Sequence, residues 1–377
     1  MFGTVLTAIV TLLHVYVFWR AGSARFHKRR VPPKALIGAG LILWTAFFLG
    51  RFYGHHGTGA LAGALELFGM SWMAMLFLSA VCLLAADIVT AFGFLLPRLA
   101  PSVRGLALAA GGGLFLVSLA QGLRPPVVRD YEVALAGLPP ELDGTVMVAV
   151  SDLHVESADE RRWLEKRVAQ VRAERPDIVV LLGDIFEGHG APPTELVAVL
   201  SRLSAPMGVW AVRGNHERHG RRDGGASPLE DAGFRLLADA WAEVRPGLVL
   251  AGVDDPRAKS RSGRAGDSLK QALKGRAPGA AVLLSHRPER AEEAAGLGAG
   301  LMLSAHTHGG QIWPFGYLVR RRYPLLAGRY EVGGMTVIVS RGTGTWGPPM
   351  RLWHPNEMLR VTLRSPGLAA TSAPGSE

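Results

Sequence analysis

The chain has 377 residues, more than one ordinary globular domain needs, and 49% of them are hydrophobic. Its mean hydropathy is positive, which sets it apart from typical soluble enzymes. The formal charge is +10, yet the nine Lys/Arg before Arg124 stand against only Glu66 and Asp87. Thus +7 of the excess lies among apolar segments, where it reads as membrane orientation rather than nucleic-acid contact. The sole cysteine, Cys82, excludes an intramolecular disulfide and leaves the redox compartment open.

In chain order, four apolar stretches come first: Phe2–Trp19, Ala35–Gly50, Leu67–Leu96 and Leu106–Leu123. Roughly 20 residues cross a bilayer core; the first and fourth stretches fit, the second is short but bracketed by Lys34 and Arg51, and the third is longer than needed, so residues 1–123 are expected to form a transmembrane region of about four helices. Asp87 is placed near the end of the third span, and His14 is expected to be a helix-packing residue. The connection Arg20–Lys34 carries six positive charges and Arg98–Arg104 two, whereas Arg51–Thr58 carries one. The positive-inside rule then puts the first and third loops in the cytoplasm, and the N-terminus and everything after Leu123 on the extracytoplasmic side. Arg124-Pro125-Pro126 opens a stretch read as a linker, 124–144, and residues 365–377 are small and polar and are expected to form a disordered tail.

From 145 to 364, short apolar runs alternate with helix-compatible segments, the pattern of a layered α/β core. Val146–Val150, Ile178–Leu182, Val209–Val212, Val282–Leu284 and Leu301–Leu303 read as strands. Ser157 is placed as the cap of a helix from Asp159 through Glu174, and Asp267–Lys274 and Glu289–Ala295 read as further helices. Each strand run ends in polar donors: Asp152-Leu153-His154, Gly183-Asp184, Gly214-Asn215-His216-Glu217, Ser285-His286 and His306-Thr307-His308. Carboxyl ends of neighbouring strands converge on one edge of such folds, so five strand ends bring oxygen and nitrogen donors into one neighbourhood. Taken singly, each motif also fits a turn or a hydrogen-bonded structural histidine; the ordered set of five points to a metal site. Gly252-Val253-Asp254-Asp255 ends another strand-like run and fits a pocket lining or a simple turn equally well.

The ordered motifs D-x-H, G-D-x-x-E, G-N-H-E, H and H-x-H resemble the calcineurin-like metallophosphoesterase superfamily. His306-Thr307-His308-Gly309-Gly310-Gln311 and Ser340-Arg341-Gly342-Thr343-Gly344-Thr345 are similar to its bacterial membrane-associated or exported branch. Ala305 stands where the family usually has Gly, and Glu187 where it often has Asp. The resemblance implies an α/β/β/α domain with two divalent metal ions, Mn, Fe or Zn. It implies one ion on Asp152, His154, Asp184 and His308, and a second on Asp184, Asn215, His286 and His306. A hydroxide shared by the ions is the implied nucleophile. His216 is the implied catalytic residue, protonating the leaving alkoxide or orienting the phosphate, and Glu217 is read either as its orienting partner or as a solvated turn carboxylate. The expected activity is hydrolysis of a phosphodiester, pyrophosphate or phosphomonoester, with a lipid-linked substrate as the first reading. An outward general phosphatase or nucleotide phosphodiesterase, merely tethered to the membrane, is the alternative, and a non-catalytic membrane sensor or scaffold is the third. The expected partners are the bilayer and a phosphate ester, with no nucleic acid.

Overall fold

A computed structural model describes residues 2–24, 31–54, 60–187, 191–217, 227–255 and 267–366. Arg25, Lys28, Arg29 and Arg30, on which the orientation reading leans, and residues 367–377 of the expected tail lie outside them. The chain divides into two compact units, one comprising Met1–Leu123 with Gly347–Trp353, the other Arg124–Trp346 with His354–Glu377.

In the first unit, helices Phe2–Ser23, Pro33–Leu49, Ala60–Val89 and Ala100–Gly122 are long and apolar enough to cross a membrane. Large apolar side chains such as Leu12, Ile42, Leu61 and Leu106 stay exposed on their surfaces, as expected of helices surrounded by lipid rather than water. Polar groups instead join the helices internally. His14 stacks on Phe18 and accepts the Trp72 indole N–H at 3.3 Å, so it is a packing residue. Asp87, fully buried two residues before its helix ends, stands 2.7 Å from Arg20 Nε and 3.1 Å from Arg104 Nε, and accepts the Tyr16 hydroxyl at 2.9 Å. An acid at this depth is tolerable because two guanidinium groups from other helices share its charge. Replacing Asp87 with Asn is expected to leave both arginines buried without a counter-charge and to cost about 3–5 kcal/mol. Thermal unfolding of the detergent-solubilised full chain reads this as a lowered midpoint; an unchanged midpoint would show that the cluster holds nothing together.

The second unit contains two six-stranded sheets. With strands numbered along the chain, β1 (Val127–Ala134), β2 (Val146–Val150), β3 (Ile178–Leu181), β4 (Val209–Ala211), β5 (Arg235–Leu236) and β12 (Glu357–Arg364) form the first, in the order β1-β12-β2-β3-β4-β5. The second comprises β6 (Ala240–Arg245), β7 (Leu248–Val253), β8 (Ala280–Ser285), β9 (Leu301–Ser304), β10 (Gly328–Val332) and β11 (Met335–Val339), in the order β10-β11-β9-β8-β7-β6. Met147, Ala149, Ile178, Val180 and Trp210 of the first sheet bury against Leu250, Val282, Leu284, Leu301, Leu303 and Ile338 of the second. The alternate residues Val148, Val150, Val179 and Leu181 face helices Arg161–Ala173 and Thr194–Leu200, while helices Ser268–Leu273 and Ala291–Gly296 cover the outer face of the second sheet. The result is the α/β/β/α architecture, and burial on both faces explains why the central strands read as unbroken apolar runs.

The helix after β2 begins as expected at Ser157, whose side chain and Glu160 form a reciprocal capping box. A short 3₁₀ turn, Ala158–Glu160, precedes the α-helix. Two expectations are corrected. Residues 127–134, read as linker, form β1, which pairs in parallel with β12 along its whole length. Only Val133 of this edge strand is buried, so Arg129-Asp130-Tyr131-Glu132 carries no apolar signature. At the other end, Ser365 is not tail: its N–H donates to Asp143 at 2.8 Å and its hydroxyl to Leu138 O at 2.8 Å.

Candidate metal centre

Strands β2, β3 and β4 run parallel in adjacent positions, as do β8 and β9 in the other sheet, so their carboxyl ends present the five donor segments. The backbone leaves β2, β3 and β9 abruptly. Asp152 (φ 50°), His154 (φ 49°), Asp184 (φ 53°), His306 (φ 71°) and His308 (φ 50°) all adopt the left-handed conformation. Such residues cost about 1–3 kcal/mol each, and their concentration at five donor positions marks a site that the fold forces into shape. Ala305, by contrast, is not among the residues of positive φ and donates its N–H to His286 O at 2.9 Å, so it replaces glycine there without strain. Gly214 is irreplaceable for a different reason, since a Cβ would lie 2.2 Å from Asp184 Oδ1.

Three donor groups result: Asp152, His154 and His308; His154, Asp184 and His216; and Asp184, His286 and His306, with the ligand atoms of each within 4.8 Å of one another. In the first, His154 Nε2 is 3.2 Å from His308 Nε2 and 4.0 Å from Asp152 Oδ1, while His308 Nε2 is 3.4 Å from Asp152 Oδ1. In the third, His286 Nε2 is 3.1 Å from both Asp184 Oδ2 and His306 Nδ1. Donors bound about 2.0–2.2 Å from a common cation stand roughly 3–4 Å apart, so these spacings suit one ion each. Among the described residues, the buried carboxylate of Asp152 and the amide oxygen of Asn215 have no hydrogen-bond partner, which is costly unless a cation takes those lone pairs.

The ring nitrogens of His154, His286 and His306 that face away from the centre are held. His154 Nδ1 meets Glu187 Oε2 at 2.5 Å, His286 Nδ1 meets Leu182 O at 2.8 Å, and His306 Nε2 meets the Tyr323 hydroxyl at 2.9 Å. In the neutral rings of His154 and His286 these acceptors keep the proton on Nδ1 and leave Nε2 as the inward ligand atom. Tyr323 in turn accepts from Arg287, whose guanidinium pairs with Asp255, and Asp254 pairs with Arg213 beside Gly214. Gly252–Asp255 therefore braces residues flanking the site. Ser340–Thr345 does the same for Asp152: Thr343 N–H donates to Ser151 O at 2.9 Å and Gly344 N–H to Asp152 O at 3.0 Å.

The two glutamates divide their work differently from the sequence reading. Glu217 is neither His216's partner nor a solvated carboxylate. Its oxygens accept backbone N–H groups of Asp184 (2.8 Å), Ile185 (2.5 Å) and Gly214 (2.7 Å), tying two donor loops together. Glu187 holds His216, at 2.7 Å from Nδ1, as well as His154. Tyr323 was missed altogether, because it follows helix Gly316–Arg322 far from any donor motif.

Electrostatics follow from these contacts. Burial alone would raise Asp184, but the charge and hydrogen bond of His286, with His154 and His216, hold it well below the usual carboxylate range. Burial raises Asp152 despite nearby histidines. Burial would lower His286, yet the charge and hydrogen bond of Asp184 push it up to about 10. His216 is likewise pushed against burial to about 9 by its bond to Glu187 and the Asp184 charge, while Glu187 is drawn to about 2 by its two histidines. Without metal, protons on His286 and His216 thus stabilise the fold below the unfolded histidine value, and that contribution is lost as pH rises through about 9–10. A cation taking His286 as a ligand would have to displace its proton. Metal binding at pH 7 is therefore expected to release protons, and affinity to rise with pH up to that window. Calorimetric titration in buffers of different ionisation enthalpy measures this directly; heats independent of buffer would contradict it.

The calcineurin-like phosphoesterase pattern matches residues 146–310, which span every donor named above. A metallophosphoesterase of Aquifex aeolicus is 35% identical over 245 residues, covering 64% of this chain and 92% of its own length. A cattle protein, named a transmembrane protein with metallophosphoesterase domain, is 33% identical over 268 residues, 67% of this chain; the chain spans only 60% of that relative's length. A zebrafish dimetal phosphatase crystal structure aligns with a TM-score of 0.37 at 15% identity, covering 58% of this chain and 99% of its own. The chain belongs to the calcineurin-like metallophosphoesterases, and its activity class is metal-dependent phosphoric ester hydrolysis.

Proposed function

We propose that this chain is a membrane-anchored, two-metal phosphoesterase whose hydrolytic domain lies on the extracytoplasmic side and acts on phosphate esters of amphiphilic molecules. One divalent ion, Mn, Fe or Zn, is held by Asp152, His154, Asp184 and His308, and the other by Asp184, Asn215, His286 and His306. The observation that carries this reading is the position of Asp184. Its Oδ2 lies 3.1 Å from His286 Nε2, 4.0 Å from His154 Nε2 and 3.9 Å from His216 Nε2, so one carboxylate serves both donor groups. When bound, the ions supply an oxygen nucleophile at neutral pH and stabilise charge on the phosphoryl oxygens. His216 is the proton donor to the leaving oxygen. Glu187 fixes its Nδ1 and keeps the ring protonated, leaving Nε2 turned to the Asp184 side of the site.

The four membrane-length helices and the cattle relative's name support the anchor, and the charge of the Arg20–Lys34 connection supports the orientation. Anchorage favours amphiphilic esters because it raises their encounter with the site. Elemental analysis of the detergent-solubilised full chain, paired with hydrolysis of chromogenic mono- and diesters and of phospholipids, tests the chemistry. About two ions per chain and chelator-sensitive turnover are expected. Metal-bound protein inert toward every ester would sink the reading, and equal turnover of soluble and lipid esters would favour a mere tether. A C-terminal reporter tests the orientation, and cytoplasmic signal would reverse it.

A further inference from the structure

Directly after the last donor histidine, the chain places large apolar side chains in solvent. Trp313 is 41% exposed, Phe315 46%, Tyr317 67% and Leu318 58%, and Gln311 ties Trp346, 37% exposed, to the same segment through two 3.0 Å backbone contacts. Soluble surfaces rarely gather such groups without an occupant. Beyond Val319, the three residues Arg320, Arg321 and Arg322 are also exposed. Glu289 pairs with Arg322 at 2.7 Å, whereas Arg320 and Arg321 have no salt-bridge partner among the described residues.

Two observations select the occupant. Aromatic and aliphatic groups bordered by unneutralised arginines match the boundary between acyl chains and anionic headgroups, where tryptophan and tyrosine sit at headgroup level and basic residues meet negative lipid. The same chain carries four helices of membrane length, so a bilayer is held at high effective concentration. We infer that Trp313–Arg322 is a bilayer-docking element, seating its aromatic side chains at the surface of an anionic leaflet.

The element is fastened to the donor turn at both ends. A Cβ on Gly310 would stand 2.2 Å from the Gly316 Cα, so the start of the helix packs directly on the turn carrying His308. Just past the helix, the Tyr323 hydroxyl contacts His306 at 2.9 Å. Docking therefore couples the donor site to the lipid surface, and an ester whose apolar part stays in the leaflet becomes the favoured substrate class. That consequence rests on the hydrolytic reading above; the docking itself does not.

The test uses the full chain in nanodiscs, with Cys82→Ala removing the native thiol and Tyr317→Cys carrying an environment-sensitive fluorophore. With phosphatidylglycerol mixed into phosphatidylcholine, emission should shift to the blue and be quenched by a spin-labelled lipid. Arg320→Glu with Arg321→Glu should abolish both responses, and a label at exposed Ser201→Cys should remain water-like. An unchanged circular dichroism spectrum and thermal midpoint show that each variant is folded. Water-like, unquenched emission at position 317 in both lipid mixtures overturns the inference. So does blue-shifted emission that the lipid quencher cannot reach, which would assign the patch to a protein partner. Because fluorescence requires no turnover, an inert enzyme and an undocked segment remain separate failures.

Discussion

Replacing Asp184 with Ala should strip the protein of metal and reduce turnover to background. This carboxylate belongs to two of the three donor groups, and its Oδ1 also accepts the His216 N–H at 2.8 Å. Its loss removes a shared ligand atom and the charge that holds His286 and His216 in their protonated forms. Removing outer partners of metal ligands typically costs 10–100-fold in affinity or activity, and a ligand common to two ions must cost more than about 100-fold. Asp184→Asn separates charge from shape: it keeps the side-chain volume but surrenders the anion, and it too should fail to retain two ions. Elemental analysis after dialysis, with circular dichroism to confirm folding, reads the result. Folded Asp184→Ala protein retaining both metals and wild-type turnover would remove the basis of the proposed chemistry.

The donor segments were legible in the sequence because each follows a strand buried on both faces, and such strands announce themselves as short Val/Ile/Leu runs. Asp152, Asp184, Asn215, His286 and His306 lie two or three positions beyond the ends of those runs. What the sequence concealed depends on partners distant along the chain. β1 is an edge strand with one buried side chain, so hydrophobic alternation cannot reveal it; its register comes from β12, more than 200 residues later. Tyr323 reaches His306 from beyond an exposed helix, and no spacing rule links the two. Glu217 misled for a local reason. Glu217 adjoins His216 in sequence, but consecutive side chains diverge, and this carboxylate turns to backbone N–H groups whose positions only the folded loops define.

The division of labour between Glu187 and His216 gives the second large effect. His216→Asn should keep both ions yet lower kcat by about 10²–10⁴-fold, the usual worth of a positioned proton donor. Glu187→Gln should lower kcat by about 10–100-fold, since it frees the rings of both His154 and His216. The two changes should combine to less than their product, because Glu187 acts through His216. The pH profile distinguishes this from general structural damage. Burial pulls the His216 value down, and the bond to Glu187 is the largest influence pushing it up. Removing that acceptor lowers it, so the donor form is lost earlier as pH rises. The alkaline limb of the kcat profile should therefore move to lower pH in Glu187→Gln and vanish in His216→Asn. If the limb stays in place in Glu187→Gln and the two losses multiply independently, the glutamate is a packing residue and the proton comes from elsewhere.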